Sequence, residues 1–116
     1  MSKANRKHHR YPLFSVAELQ VKDSADPPST VLVQNISESG IGLYAHSPIE
    51  RGTPIAVLVK FTTIDGTRAA DMVEGRVTSL MRDEKFHCLG IAFNEKINQK
   101  KQPHLYRHFH RSVKYE

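Results

Sequence analysis

The chain alternates between short apolar runs and polar, turn-forming clusters, and within most runs the apolar residues recur every second position. Leu13, Val16, Ala17, Leu19 and Val21 outline a first strand, closed by the turn-forming stretch from Asp23 to Ser29. A second run, Thr30 to Ile36, is rich in Val and Leu and ends at the polar turn Asn35-Ile36-Ser37-Glu38-Ser39-Gly40. Ile41, Leu43 and Ala45 then alternate with Gly42, Tyr44 and His46 as a third strand. Ile55, Val57, Val59 and Phe61 give a fourth, running to an Asp65-Gly66 turn; Met72 to Met81 gives a fifth. Phe86 to Phe93 gives a sixth, with Leu89, Ile91 and Phe93 on one face, Phe86, Cys88 and Ala92 on the other, and both faces expected to be covered.

The period changes after residue 97. Leu105, Phe109 and Val113 recur at helical spacing, which predicts a short C-terminal helix with Pro103 confined to its first turn. Short strands divided by turn chemistry predict an all-β fold, an antiparallel barrel of about six strands, because closure removes exposed sheet edges. The expected organisation is a flexible basic segment over residues 1–11, a barrel over 12–97, and a helix and tail over 98–116.

Charge narrows the partner. The 116 residues carry a formal net charge of +5, with basic side chains gathered at the two ends: Lys3, Arg6, Lys7 and Arg10 at one, Lys96, Lys100, Lys101, Arg107, Arg111 and Lys114 at the other. That distribution favours an anionic partner: a nucleotide, a nucleic acid or an acidic protein. No apolar run approaches the ~20 residues that span a bilayer, and the first ten residues lack the apolar stretch of a secretory signal. A cytoplasmic protein without membrane insertion is expected. The lone Cys88, set among strand residues, reads as a small buried hydrophobe.

Two constellations carry chemistry. In Arg6-Lys7-His8-His9-Arg10, two guanidinium groups stand four residues apart. Each offers a planar fork that can donate to guanine O6 and N7, a flat face that can stack on a base, and a charge that attracts phosphate. A solvated basic tail is the competing reading, and His8 and His9 fit either. In the second, Asn35 and Ser37 point the same way if strand geometry persists, and their oxygens can accept from the guanine N1–H and N2–H₂ edge. Gly40 permits a positive φ or a close backbone approach. An ordinary polar turn is the competing reading here.

Taken together, in this order before one barrel, the two stretches resemble the PilZ domain, the bacterial receptor family for cyclic di-GMP. The signature RxxxR followed downstream by [D/N]xSxxG is matched by Arg6, Arg10, Asn35, Ser37 and Gly40, and Gly90 in Cys88-Leu89-Gly90-Ile91-Ala92-Phe93 resembles the glycine of a late PilZ strand. The resemblance implies a PilZ-like split barrel with a C-terminal helix. It further implies that Arg6 and Arg10 contact guanine and phosphate, that Asn35 and Ser37 read a guanine edge, and that Gly40 keeps the turn tight. Asn35 stands where many family members have Asp; an amide offers one acceptor oxygen where a carboxylate offers two, with charge.

The function expected from the resemblance is a receptor and adaptor. Cyclic di-GMP would order the N-terminal segment, and the changed surface would be read by a downstream effector protein. A nucleic-acid-binding barrel, stacking bases on Tyr11, Tyr106 and Phe109, ranks behind it, as does a PilZ-like interaction module without ligand. No cofactor is expected. His104, His108 and His110 lack a local Cys, Asp or Glu to complete a metal site, so none is expected either. Without a nucleophile elbow, phosphate-binding loop or HExxH, catalysis is not expected, and Glu38 reads as solvated rather than as a general base.

Overall fold

A computed structural model describes the backbone of residues 11–63 and 65–114 and the side chains of residues 15–63 and 65–110. Six strands come first, β1 (Tyr11–Val21), β2 (Ser29–Ile36), β3 (Gly40–Ala45), β4 (Pro54–Thr62), β5 (Arg68–Asp83) and β6 (Phe86–Phe93), followed by the helix α1 (Pro103–Lys114). Every pairing is antiparallel, and the strands close into a barrel in the order β1-β2-β3-β6-β5-β4, with β4 pairing back onto β1.

Period-two alternation explains the closure. Along β5 the buried residues Ala69, Asp71, Val73, Gly75 and Val77 alternate with exposed ones, and along β4 Ile55, Val57, Val59 and Phe61 point inward. From the other strands Ile36, Ile41, Leu43, Leu89 and Ile91 fill the same interior at 1% exposure or less. Each such side chain contributes about 1.5–3 kcal/mol on burial, so the barrel interior dominates stability. Three strands carry a register shift: β1 between Pro12 and Ser15, β2 between Val33 and Asn35, and β5 between Val77 and Ser79. An extra residue at such a point bends the strand and re-aims side chains.

Among the described residues, buried apolar side chains and polar ties together hold the helix. Leu105 and Phe109, four residues apart, are buried at 0% and 3% exposure. Gln102 accepts the first intrahelical bond, from Tyr106 N, and Pro103 occupies the first helical position, where its missing N–H is no loss. The Leu105 N–H donates to Asp71 Oδ2 at 2.6 Å. Asp71, only 5% exposed and pointing into the barrel, thereby does from β5 what an N-cap side chain does from within a helix. The Gln102 side-chain amide adds a bond to the Met72 carbonyl at 3.0 Å. Asp71→Ala is expected to cost ~1–3 kcal/mol by leaving a buried N–H unpaired, and to speed amide exchange at Leu105 ahead of the barrel strands. Uniform exchange across barrel and helix would refute that tether.

Some sequence expectations differ from what is seen. β5 begins at Arg68 rather than Met72, because Ala69 and Asp71 continue the inward face although neither resembles a strand former. β1 begins at Tyr11, which pairs with Ile36. Cys88 is corrected: with Leu89 and Ile91 inward it must point outward, where it is partly exposed beside Tyr44 and Met81 in the register. Partial burial and the Asp83 carboxylate push its thiol pKa up, so the reactive thiolate is disfavoured. The outer face of β6 is only partly covered, with Ala92 exposed.

Candidate functional site

The turn between β2 and β3 is pinned from inside by Ile36 and Ile41, which face each other in the register and are fully buried. Ser37 N donates to Gly40 O at 2.8 Å, and the Ser37 hydroxyl accepts from Ser39 N at 3.2 Å and Gly40 N at 3.1 Å. At 1% exposure that hydroxyl belongs to the turn: strand geometry stops at Ile36, so Ser37 does not share the outward direction of Asn35. Gly40 is buried in this network with its φ outside the left-handed region, which among the described glycines holds Gly52 and Gly66. The Gly40 N–H and carbonyl both bond to Ser37.

The opposite side of the turn is fixed as well. Glu38 O accepts from Ile97 N and Ser39 O from Phe93 N, each at 2.9 Å. The Glu38 carboxylate, at 25% side-chain exposure, lies 3.9 Å from both Lys96 Nζ and His110 Nε2. His110 stacks on Tyr106 with ring centroids 4.0 Å apart. Glu38 is therefore not freely solvated; it links the turn to the end of the barrel and to α1.

Asn35 stands at the head of an outer row that crosses the barrel. In register it faces Pro12 on β1 and Gly42 on β3; Gly42 faces Gly90 on β6, and Gly90 faces Ser79 on β5. Two glycines in the middle of this row let neighbouring side chains lie against the backbone: the Asn35 and Gln34 amides over Gly42, and the Ser79 hydroxyl over Gly90. The register shift in β2 brings Asn35 to the outer face already taken by Gln34, and both amides lie over Gly42. The position a Gly42 Cβ would take is 3.0 Å from Asn35 Oδ1 and 3.3 Å from Gln34 Oε1. Next to them a shallow groove of about 490 Å³ is lined by Ser15, Val16, Leu32, Val33, Gln34 and Tyr44. Val16 and Leu32, paired across β1 and β2, are 44% and 47% exposed and form an apolar floor. Sequence reading missed Gln34 and this floor, since nothing in the residue types reveals where a strand shifts register.

Arg6 and Arg10 lie outside the described residues. The histidines of α1 are apart in their surroundings: His104 is exposed, His108 meets Phe61 at 5.8 Å between centroids, and burial pushes its pKa down. Among the described residues no group of three His, Cys, Asp or Glu could hold a metal ion. Phe109, one of the rings expected to stack on bases in the nucleic-acid reading, is corrected to a core residue. Among the described residues no helix is long and apolar enough to cross a membrane.

A closed six-stranded antiparallel barrel with the Asn35 amide on its outer wall and a C-terminal helix capped from β5 defines a small β-barrel domain. The PilZ domain model matches residues 4–111, and the chain belongs to the PilZ domain family. Among solved structures it is similar to the inhibitor of motility MotI/DgrA of Bacillus subtilis, with a TM-score of 0.72 at 15% identity over 94% of this chain. The chain spans 52% of that protein's length. It is also similar to the PilZ domain of YcgR from Escherichia coli, solved with c-di-GMP, with a TM-score of 0.66 at 11% identity, covering 95% of this chain and 93% of that one. The PilZ domain of CeSA from a cellulose-synthesizing bacterium gives 0.56 at 19% identity over 90% of this chain and 98% of that one. No curated protein matches it.

Proposed function

We propose that this chain is a cyclic di-GMP receptor that passes the signal to a partner protein, binding its ligand with Arg6, Arg10 and Asn35 around a turn held by Ser37 and Gly40. The observation that carries the reading is the complete RxxxR and NxSxxG signature on a PilZ barrel. Support comes from how the two halves join. β1 opens with Tyr11 and Pro12 opposite Ile36 and Asn35, so the segment bearing the arginines is attached to the barrel beside the amide it is meant to work with. Cyclic di-GMP in the YcgR domain is a precedent on the same fold.

The chemistry is binding, not turnover. Guanidinium groups supply charge and planar donors for phosphate and for guanine O6 and N7, Asn35 supplies an acceptor for the opposite edge, and no bond to the ligand is made or broken. Ser37 acts through the turn it fastens. Ligand gathers the arginine segment onto the barrel, and the newly built surface is what a downstream protein in the cytoplasm reads. Ordering that segment diminishes the net affinity, but converts a small ligand into a large change of surface.

Cyclic di-GMP is expected to bind far more tightly than GTP or cyclic di-AMP in calorimetric titration, and to raise Tm progressively with concentration, because it stabilises only the folded state. Equal binding of cyclic di-AMP would remove base reading from the proposal. No Tm shift at saturating cyclic di-GMP would remove the site.

A further inference from the structure

We infer that Gln34 and Asn35 form a paired-amide clamp for one guanine edge, with Asn35 taking the ring N1–H and Gln34 the exocyclic N2 amino group; this rests on the cyclic di-GMP reading above. Guanine presents two adjacent donors on that edge, and a single amide has one acceptor oxygen to meet them. A carboxylate at position 35 would bring two. Here the shortfall is made up by the neighbouring residue.

Three features of the fold put Gln34 in that place. The register shift between Val33 and Asn35 breaks strict alternation, so adjacent residues 34 and 35 share the outer face instead of opposite ones. Gly42 has no side chain, and the space its Cβ would fill is bordered by both amide oxygens, 3.0 Å from Asn35 Oδ1 and 3.3 Å from Gln34 Oε1. The groove floored by Val16 and Leu32 begins at Gln34, which gives the flat apolar face of a base somewhere to rest while its edge meets the amides. Reach assigns the donors. Asn35 is shorter and half-buried and meets the ring nitrogen; Gln34 is longer and exposed and extends to the peripheral amino group.

The clamp predicts a selectivity that the arginines and the turn do not supply. Cyclic di-IMP has the same phosphates, O6 and N7 but lacks the N2 amino group. The wild-type chain is expected to bind cyclic di-GMP roughly 5- to 10-fold more tightly than cyclic di-IMP, the worth of one neutral hydrogen bond. Gln34→Leu removes the acceptor and keeps an apolar side chain at the groove; it is expected to bind the two ligands alike, with Tm in the absence of ligand unchanged because position 34 is exposed. Gln34→Glu retains an acceptor and is expected to keep the preference for guanine. Gly42→Ala brings a methyl group against both oxygens and is expected to weaken cyclic di-GMP about as much as Gln34→Leu does. A Gln34→Leu chain that still prefers cyclic di-GMP as wild type does overturns the clamp while leaving the receptor standing. A wild-type chain that binds neither ligand overturns the receptor reading, and the clamp with it.

Discussion

Replacing Arg6 or Arg10 by alanine is expected to weaken cyclic di-GMP binding by roughly 5- to 150-fold each, the equivalent of ~1–3 kcal/mol for a lost arginine–guanine contact. The melting temperature without ligand should not move, because both residues precede β1, which opens at Tyr11, and lie outside the alternating apolar pattern that builds the barrel. Calorimetry and a thermal melt on each variant separate the two effects. Lysine at position 10 sharpens the test: it preserves the charge and removes the planar fork, so it should recover part of the attraction to phosphate and none of the bidentate contact. Full affinity in Arg10→Lys would mean that the arginine supplies charge alone. Wild-type affinity in Arg6→Ala and Arg10→Ala alike would remove the N-terminal segment from the site.

Gly75→Ala should be among the most damaging single substitutions in the barrel. Gly75 faces inward on β5, paired with Ile55 on one side and Phe93 on the other. A Cβ there would lie 2.1 Å from the Ala92 carbonyl oxygen and 2.9 Å from its carbon, both of them backbone atoms that cannot swing aside as a side-chain tip can. Relief requires β5 and β6 to part, so the expected cost is ~3 kcal/mol or more. For a chain of this size that lowers Tm by roughly 10–15 °C. Glu74→Ala, one residue away, makes the comparison. Its ion pair with Lys22 is half exposed, at 50% and 38% side-chain accessibility, and such pairs are worth about 0–1 kcal/mol. Similar melting of the two variants would mean that the strands separate at Gly75 without cost.

The strands were legible because one face of each is buried: Ile55, Val57, Val59 and Phe61 announce β4 by alternation alone, and Pro103, Leu105 and Phe109 announce the helix. Cys88 was misjudged because its face of β6 is only partly covered, and residue type does not say which face a neighbour covers. Asp71 was invisible as a core residue: a carboxylate reads as exposed until the helix N–H that it receives is known, and that partner is 34 positions away in the chain. At the candidate site, Asn35, Ser37 and Gly40 were read from spacing, but spacing assumed that an extended strand runs through them. The strand ends at Ile36, so Ser37 turns into the loop. Gln34 escaped for the complementary reason, since a register shift is set by how two strands pair and leaves no mark in either one.

Because β4 returns to β1, most of the barrel wall is paired on both sides, and among the described residues the open strand edge is confined to the start of β1 and the end of β5, which pair with β2 and β6 alone. Recognition by strand addition, which draws affinity from main-chain bonds and is tolerant of sequence, is therefore closed to a protein that docks on the doubly paired part of the wall. Such a partner has only side chains and turns to grip, and must distinguish this domain by the identity of its surface residues. Substitutions on the outer wall can consequently redirect partner choice while the interior, and with it the fold, stays the same.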